Sequence, residues 1–311
     1  MENLNLPVEK SEILFLYESS YSVPNGDPFT SEQRYDEETK KVLVSDVRIK
    51  RFIRDYFDER GEQVYVIDKR IEGEKEGSGA ALRMKRLRED LKNDESVLTK
   101  GKPDSLKLMK KCIDVRLFGG ISTEGGDAVN LTGAVQFALL NPSLNKTDLR
   151  MHQNTSVFAS SGEKTRGAIG TTTVVPYSLN QIHGWINPFS AVHTGLTQTD
   201  IDAMFKALWV SINNANTRSK SNQNSLLLTQ IVYADANKKL YGADRFIEID
   251  KDKTEKQDEQ IRNSDDYVLS LEKLKEAAKN PSVKQINFYT ENNKIKQELD
   301  DAEKFVWMEI L

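Results

Sequence analysis

Residues 12–17 read EILFLY, and residues 20–29 read SYSVPNGDPF. A short continuous apolar run closed by turn formers is the pattern of a core strand. Pro24, Asn25, Gly26, Asp27 and Pro28 crowd into the turn, supplying fixed φ, side-chain capping and backbone freedom in five positions. Just beyond it, residues 44–57 read VSDVRIKRFIRDYF. Ile49, Phe52, Ile53 and Tyr56 recur at helical spacing, and Asp46 sits where an N-cap belongs, so the pattern predicts a helix from Asp46 to Tyr56 or Phe57. Arg48, Lys50, Arg51 and Arg54 fall on its other positions, so one stripe packs while the rest presents cations or makes a solvated face.

Outward from this unit the chain stays mixed. Residues 69–79 are polar and glycine-rich, a loop; residues 80–92 resume helical periodicity through Leu82, Leu87 and Leu91, with Lys85, Arg86, Arg88 and Lys92 exposed; residues 93–105 read as irregular. Residues 112–118 (CIDVRLF) read as a strand entering a turn at Gly119 and Gly120, and the alternation of Leu131, Gly133, Val135, Phe137 and Leu139 predicts a second strand. Residues 142–172 carry little periodicity and include SGEKTRGAIG at 161–170, a composition that suits a protruding hairpin or loop. Thr197 and Asp200 mark the start of a helix bearing Ile201, Met204, Phe205, Leu208, Trp209 and Ile212. Strands follow at 225–233, 285–289 and 304–310, with a charged loop at 250–266 and a helix at 267–279. The order fits an α+β fold: a ferredoxin-like core with large insertions.

The 311 residues suffice for one large domain or two modest ones. The single cysteine, Cys112, leaves no intrachain disulfide or multi-cysteine zinc site and reads as a buried core thiol in a reducing compartment. Residues 1–10 hold neither a basic leader nor an apolar run, and no stretch is long and apolar enough to cross a bilayer, so the expectation is a soluble, cytoplasmic protein with no membrane partner. The net charge of -4 conceals a division: residues 1–39 carry 2 basic and 9 acidic side chains, whereas residues 40–116 carry 21 and 15. A basic quarter within an acidic chain leaves nucleic-acid binding open, because binding depends on where charge sits.

Signatures of catalysis are missing. His152, His183 and His193 have no metal-ligand spacing, and no phosphate loop or nucleophile elbow occurs. Asp27 and Asp127 are the acidic residues in glycine-marked loops, and a metal-dependent endoribonuclease would have to build on one of them. The expectation is a protein that is not an enzyme and takes no metal or cofactor.

The motifs DVRLFGG (114–120), LTGAVQFALLNPS (131–143) and VVPYSLNQIHGWINP (174–188), taken in order with PNGDP and VSDVRIKRFIRDYF, resemble the CRISPR Cascade backbone subunit, the seventh Cas protein family, and most closely its subtype I-B branch. The resemblance covers roughly residues 10–250. It implies a modified RNA-recognition (ferredoxin-like) palm with a finger or helical insertion at about 60–112, a thumb hairpin at about 150–175, and residues 251–311 completing or flanking the palm. It implies a non-catalytic subunit that polymerises head to tail along a CRISPR RNA (crRNA) guide, presents the guide to target DNA, and contacts other Cascade subunits. The residues then assigned to RNA are Asn25, Gly26, Asp27, Arg48, Lys50, Arg51, Arg54, Gly119, Gly120, Lys164 and Arg166, the cations neutralising phosphates and the glycines admitting RNA close to the backbone. Val157, Phe158 and Ile169 are the apolar candidates for a thumb wedge. A generic single-stranded RNA-binding protein is the other non-catalytic reading.

Overall fold

The computed structural model describes residues 5–67, 79–123, 128–155 and 169–311. In chain order the first half contains β1 (Ser11–Ser22), β2 (Lys41–Ser45), α1 (Asp46–Glu59), α2 (Ala80–Asp90), α3 (Ser105–Lys111), α4 (Ile113–Phe118), β3 (Gly119–Ser122), β4 (Val129–Thr132), β5 (Val135–Phe137), β6 (Leu140–Pro142) and β7 (Arg150–Thr155). The second half contains β8 (Ile169–Ile186), α5 (Pro188–Thr194), α6 (Gln198–Asn213), β9 (Gln223–Tyr233), α7 (Glu272–Ala278), β10 (Val283–Tyr289), α8 (Asn293–Asp300) and β11 (Phe305–Trp307). The fold is α+β, built on one large mixed sheet.

β1 lies at the heart of that sheet, antiparallel to β8 on one side and β9 on the other. β10 pairs antiparallel with β9, and β11 joins β10 in parallel. β8 is long enough to hold two further partners: its first part pairs with β7, its end with β5. Both faces of β1 are covered, which is why its sequence is continuously apolar rather than alternating. Ile13, Phe15 and Tyr17 join a core with Ile49, Phe52 and Ile53 of α1 and Met204, Leu208 and Trp209 of α6. Leu14 and Leu16 face the other way, against Ile247, Ile249, Ile261, Tyr267, Leu271 and Leu274. A third, smaller core under α2 and α3 gathers Met84, Leu87, Leu108, Met109 and Cys112. Burial there pushes the Cys112 thiol up to about 12.

A strand apolar on both faces loses little burial if it slips by one residue, so something polar must fix its register. Glu12, 1% exposed, does this: Tyr233 of β9 donates its hydroxyl to Oε1 at 2.6 Å, and His183 Nε2 of β8 lies 2.7 Å from Oε2. One buried carboxylate thus ties the three central strands together.

Several sequence expectations are corrected. Residues 113–118 form helix α4, with Cys112 as its N-cap, and not a strand; Ile113, Val115, Leu117 and Phe118 are all buried, and Asp114 between them is buried too, accepting from backbone donors. Alternating hydrophobicity over so short a run does not separate strand from buried helix. The single strand expected over 131–139 is two, β4 and β5, divided at Gly133, where a Cβ would meet Phe118 backbone at 2.0 Å. The N-cap of α1 is Ser45, whose side chain accepts from Arg48 N, and Asp46 occupies the first turn. Residues 93–105 are less irregular than expected, with Asp104 capping α3. The helix at 267–279 begins only at Glu272, and the last strand is confined to Phe305–Trp307. The stretch 142–172, whose composition suits a hairpin or loop, needs no such correction: it contains β7, which pairs antiparallel with the start of β8, Arg150 opposite Val174 and Thr155 opposite Ile169.

Candidate nucleic-acid interface

The C-terminal end of β1 opens on a cleft of about 690 Å³. Four pieces of chain meet there: the end of β1 with the PNGDP turn, Arg48 on α1, the base of the β7–β8 hairpin through His152 and Thr171–Val174, and the loop bearing Arg218, Ser219 and Lys220.

The turn is fastened before it reaches the cleft. Asn25 is buried, and its Oδ1 accepts from Ser45 N at 2.7 Å and from Ser45 Oγ at 2.8 Å. Asn25 N donates to Gln33 Oε1 at 2.9 Å. Asp27 accepts from Phe29 N at 2.9 Å and Thr30 N at 3.3 Å and pairs with Arg34 at 3.0 Å. The Phe29 bond is the main reason its carboxyl lies below the ordinary range. Gly26 has room: a Cβ there would meet its nearest neighbour, Val23, at 3.6 Å.

The four cations of α1 part company. Arg54 Nε donates to Asp114 at 3.0 Å, Lys50 Nζ to Asp46 at 3.1 Å and Gln136 at 3.2 Å, and Arg51 Nε to Asp55 at 2.6 Å. Lys50 and Arg54 side chains are each 13% exposed, so both tie protein to protein, whereas Arg51 is on the solvent side. Arg48 alone of the four lines the cleft. Its guanidinium lies 3.8 Å over the Phe52 ring, its Nε is buried without a hydrogen-bond partner, and among the described residues it has no ion pair. Burial pulls its pKa down.

Gly119 and Gly120 stand elsewhere, at the junction of α4 and β3. Gly119 has φ +78°, and a Cβ on it would lie 2.1 Å from the Leu131 carbonyl oxygen. Its glycine is therefore accounted for by protein backbone filling that space. Lys164, Arg166, Val157, Phe158 and Asp127 lie outside the described residues, as does the Ile169 side chain.

Sequence reasoning missed Arg218 and Lys220. Lys220 donates from Nζ to the Val23 carbonyl, and Val23 N donates to Ser219 O at 2.8 Å, so this loop is clasped to the turn. Burial, with Arg48 as a neighbouring like charge, lowers Lys220 to about 8. The signal was present in residues 217–225, TRSKSNQNS: two cations in a Ser/Asn loop directly before a core strand. Tyr21 was missed as well; it is 61% exposed at the cleft with φ +46°, a conformation uncommon for an aromatic residue.

No group of three or more His, Cys, Asp or Glu among the described residues is placed to hold a metal ion. No helix among them is long and apolar enough to cross a membrane.

Comparison with known proteins agrees with the motif reading at the level of the family. The family profile described as CRISPR-associated protein Cas7 matches residues 9–272. A CRISPR-associated protein Cas7 of Haloferax volcanii is 26% identical over 292 residues, covering 86% of this chain and 82% of that protein. Among solved structures, a chain of a CRISPR RNA-guided surveillance complex aligns over 92% of this chain and 90% of its own, with TM-score 0.53 and 16% identity. A chain of a pre-nicking CRISPR RNA-guided surveillance complex covers 92% and 93% with TM-score 0.51 and 16% identity, a likeness of fold. With most of its length matched by that profile, the chain belongs to the CRISPR-associated protein Cas7 family.

Proposed function

We propose that this chain is a non-catalytic crRNA-binding backbone subunit of a type I surveillance complex, of the subtype I-B branch, which assembles head to tail along the guide and presents it to target DNA. The observation that carries this reading is the cleft in which Arg48, Arg218 and Lys220 converge at the base of a hairpin, none of them in an ion pair among the described residues. Cations without carboxylate partners, next to backbone and hydroxyl groups, suit phosphates of any sequence, as a subunit that accepts every spacer requires.

The fold supports the same reading. β1, α1, β5, β8, α6 and β9 follow in the order strand, helix, strand, strand, helix, strand, and β9, β1, β8 and β5 lie side by side in the order 4-1-3-2. We read these as a ferredoxin-like, RNA-recognition-type palm. Both faces of its central strand are already covered by the chain itself, so RNA contact falls to the rim, where the cleft is. The third core, between about 60 and 112, suits the finger insertion; the β7–β8 hairpin suits the thumb; residues 251–311 flank and extend the palm through β10 and β11. Complexes of similar fold are described as RNA-guided surveillance complexes, so other copies of this chain, other Cascade subunits, crRNA and, through it, target DNA are the partners expected in the cytoplasm.

Electron microscopy with nuclease-protection mapping of the protein on a CRISPR RNA tests this. The expected result is a helical multimer with evenly spaced accessible nucleotides, weakened in Arg48→Ala. A monomer without a periodic footprint would instead make it a generic single-stranded RNA-binding module.

A further inference from the structure

Arg48 and Lys220 reach one cleft from elements 172 positions apart in sequence, and neither is neutralised there. Their attachments differ. Arg48 is set by the Phe52 ring beneath it and by the Ser45 cap, itself held by Asn25. Lys220 is set by a bond donated to the Val23 carbonyl and a long one, 3.5 Å, to Ser219 Oγ, which leaves one of its three donors for a ligand.

We propose that Arg48 and Lys220 are the two jaws of a seat for one phosphate of single-stranded RNA, with the Val23 carbonyl holding the lysine in place. This rests on the RNA-binding reading above and names residues and a linkage that the reading does not supply. A phosphate between the jaws gives the buried Arg48 Nε side an anionic neighbour and turns a like-charge pair into a bridged one.

A consequence separates this seat from an ordinary basic patch. The charged and titratable groups that share the cleft with Lys220 are Arg48 on α1, Tyr21 on β1, Asp27 and Glu32 in the turn, His152 on the hairpin and Arg218 beside it, and buried Tyr17 lies near Arg48. With its amine lowered to about 8, the free protein at pH 9 holds Lys220 mostly neutral, whereas the phosphate-bound form favours the ammonium. Binding above pH 8 therefore takes up a proton at Lys220.

Fluorescence anisotropy with a labelled single-stranded RNA measures this, with circular dichroism to verify folding. Wild-type affinity is expected to fall by up to about tenfold from pH 7 to pH 9, beyond the fall in Lys220→Arg, whose cation does not titrate there. Lys220→Met at pH 7 is expected to bind more weakly, with the slope of log affinity against log salt reduced by about 0.7. Wild-type affinity and salt slope in folded Lys220→Met, or the same pH profile in Lys220→Arg as in wild type, would overturn the seat while leaving RNA binding intact. No binding of RNA by the wild type would overturn both.

Discussion

Arg54 Nε lies 3.0 Å from Asp114 Oδ2, and the carboxylate is wholly buried. Asp114 also accepts from Tyr65 N at 2.7 Å and Val66 N at 3.0 Å, so this single side chain joins α1, the connecting segment after it and α4. Arg54 thus serves the fold from within a helix whose sequence suggests a uniform row of phosphate ligands.

The first prediction follows from that division. Removing half of a buried pair leaves the other half uncompensated, so Asp114→Ala and Arg54→Met are each expected to lower stability by about 3 kcal/mol. Arg51→Ala breaks only an exposed pair and is expected to cost less than about 0.5 kcal/mol. Urea denaturation at pH 7 measures all three. Equal small losses would return Arg54 to the surface.

The glycines separate in the same way. Gly119→Ala puts a Cβ 2.1 Å from a carbonyl oxygen at φ +78°, with only rigid backbone to give way. It is expected to cost more than about 3 kcal/mol or leave the protein insoluble. Gly120→Ala meets the flexible end of Met109 at 3.0 Å, and Gly26→Ala has ordinary contacts, so both are expected to stay within about 1 kcal/mol of wild type in thermal melts.

What could be read from sequence followed physical scale. The central strand, α1 and α6 were legible because burial of large side chains imposes a period on the sequence, and the turn at 24–28 because its residues have few other uses. Residues 112–118 were misread because six buried positions satisfy either period. The site was legible only in part. Composition marks which residues are cationic, but the fate of Arg48, Lys50 and Arg54 depends on whether Gln136, Asp114 or an open cleft lies opposite, and those neighbours come from 60 to 86 positions away. Lys220 stands in a Ser/Asn loop whose two cations are visible in the sequence, but the clasp to Val23 that places it in the cleft is a contact over 197 positions, which that local signal does not disclose.

Acid stability gives a further prediction. Burial alone would raise Asp200, yet Arg116 donates to it from Nε at 3.0 Å and Nη2 at 2.7 Å, Thr197 adds capping bonds, and the net result is a lowered pKa. A lowered carboxyl contributes stability that is fully present above its unfolded value near 4 and disappears as pH falls through the folded value. Asp200→Asn is expected to cost about 1.5–3 kcal/mol at pH 7 and to flatten the decline in Tm between pH 5 and pH 3. An unchanged slope in the variant would remove Asp200 from the acid transition.

Divalent metal should be dispensable. Asp27 is committed to Phe29, Thr30 and Arg34, and no metal-holding cluster occurs among the described residues. Labelled RNA incubated with the protein in Mg²⁺ or Mn²⁺ is expected to remain full length, and EDTA to leave its binding within about twofold. Metal-dependent cleavage lost in Asp27→Asn or Asp127→Asn would establish an endoribonuclease instead.

The last prediction concerns Asn25, which sits beside the cleft yet acts through another residue. Its Oδ1 holds both the amide and the hydroxyl of Ser45, and that hydroxyl in turn caps α1 at Arg48 N. Asn25→Ala leaves a buried N–H without its acceptor and loosens the cap, which is expected to cost about 1–3 kcal/mol. Because Arg48 lies in the first turn of that helix, RNA affinity should fall with stability, although Asn25 itself need touch no phosphate. Asn25→Asp keeps both accepted bonds and should recover most of the stability. If Asn25 instead read RNA through its amide NH₂, the aspartate would abolish binding while leaving the fold intact. Urea titration and RNA anisotropy on the same two variants therefore decide whether Asn25 positions Arg48 or meets the guide directly.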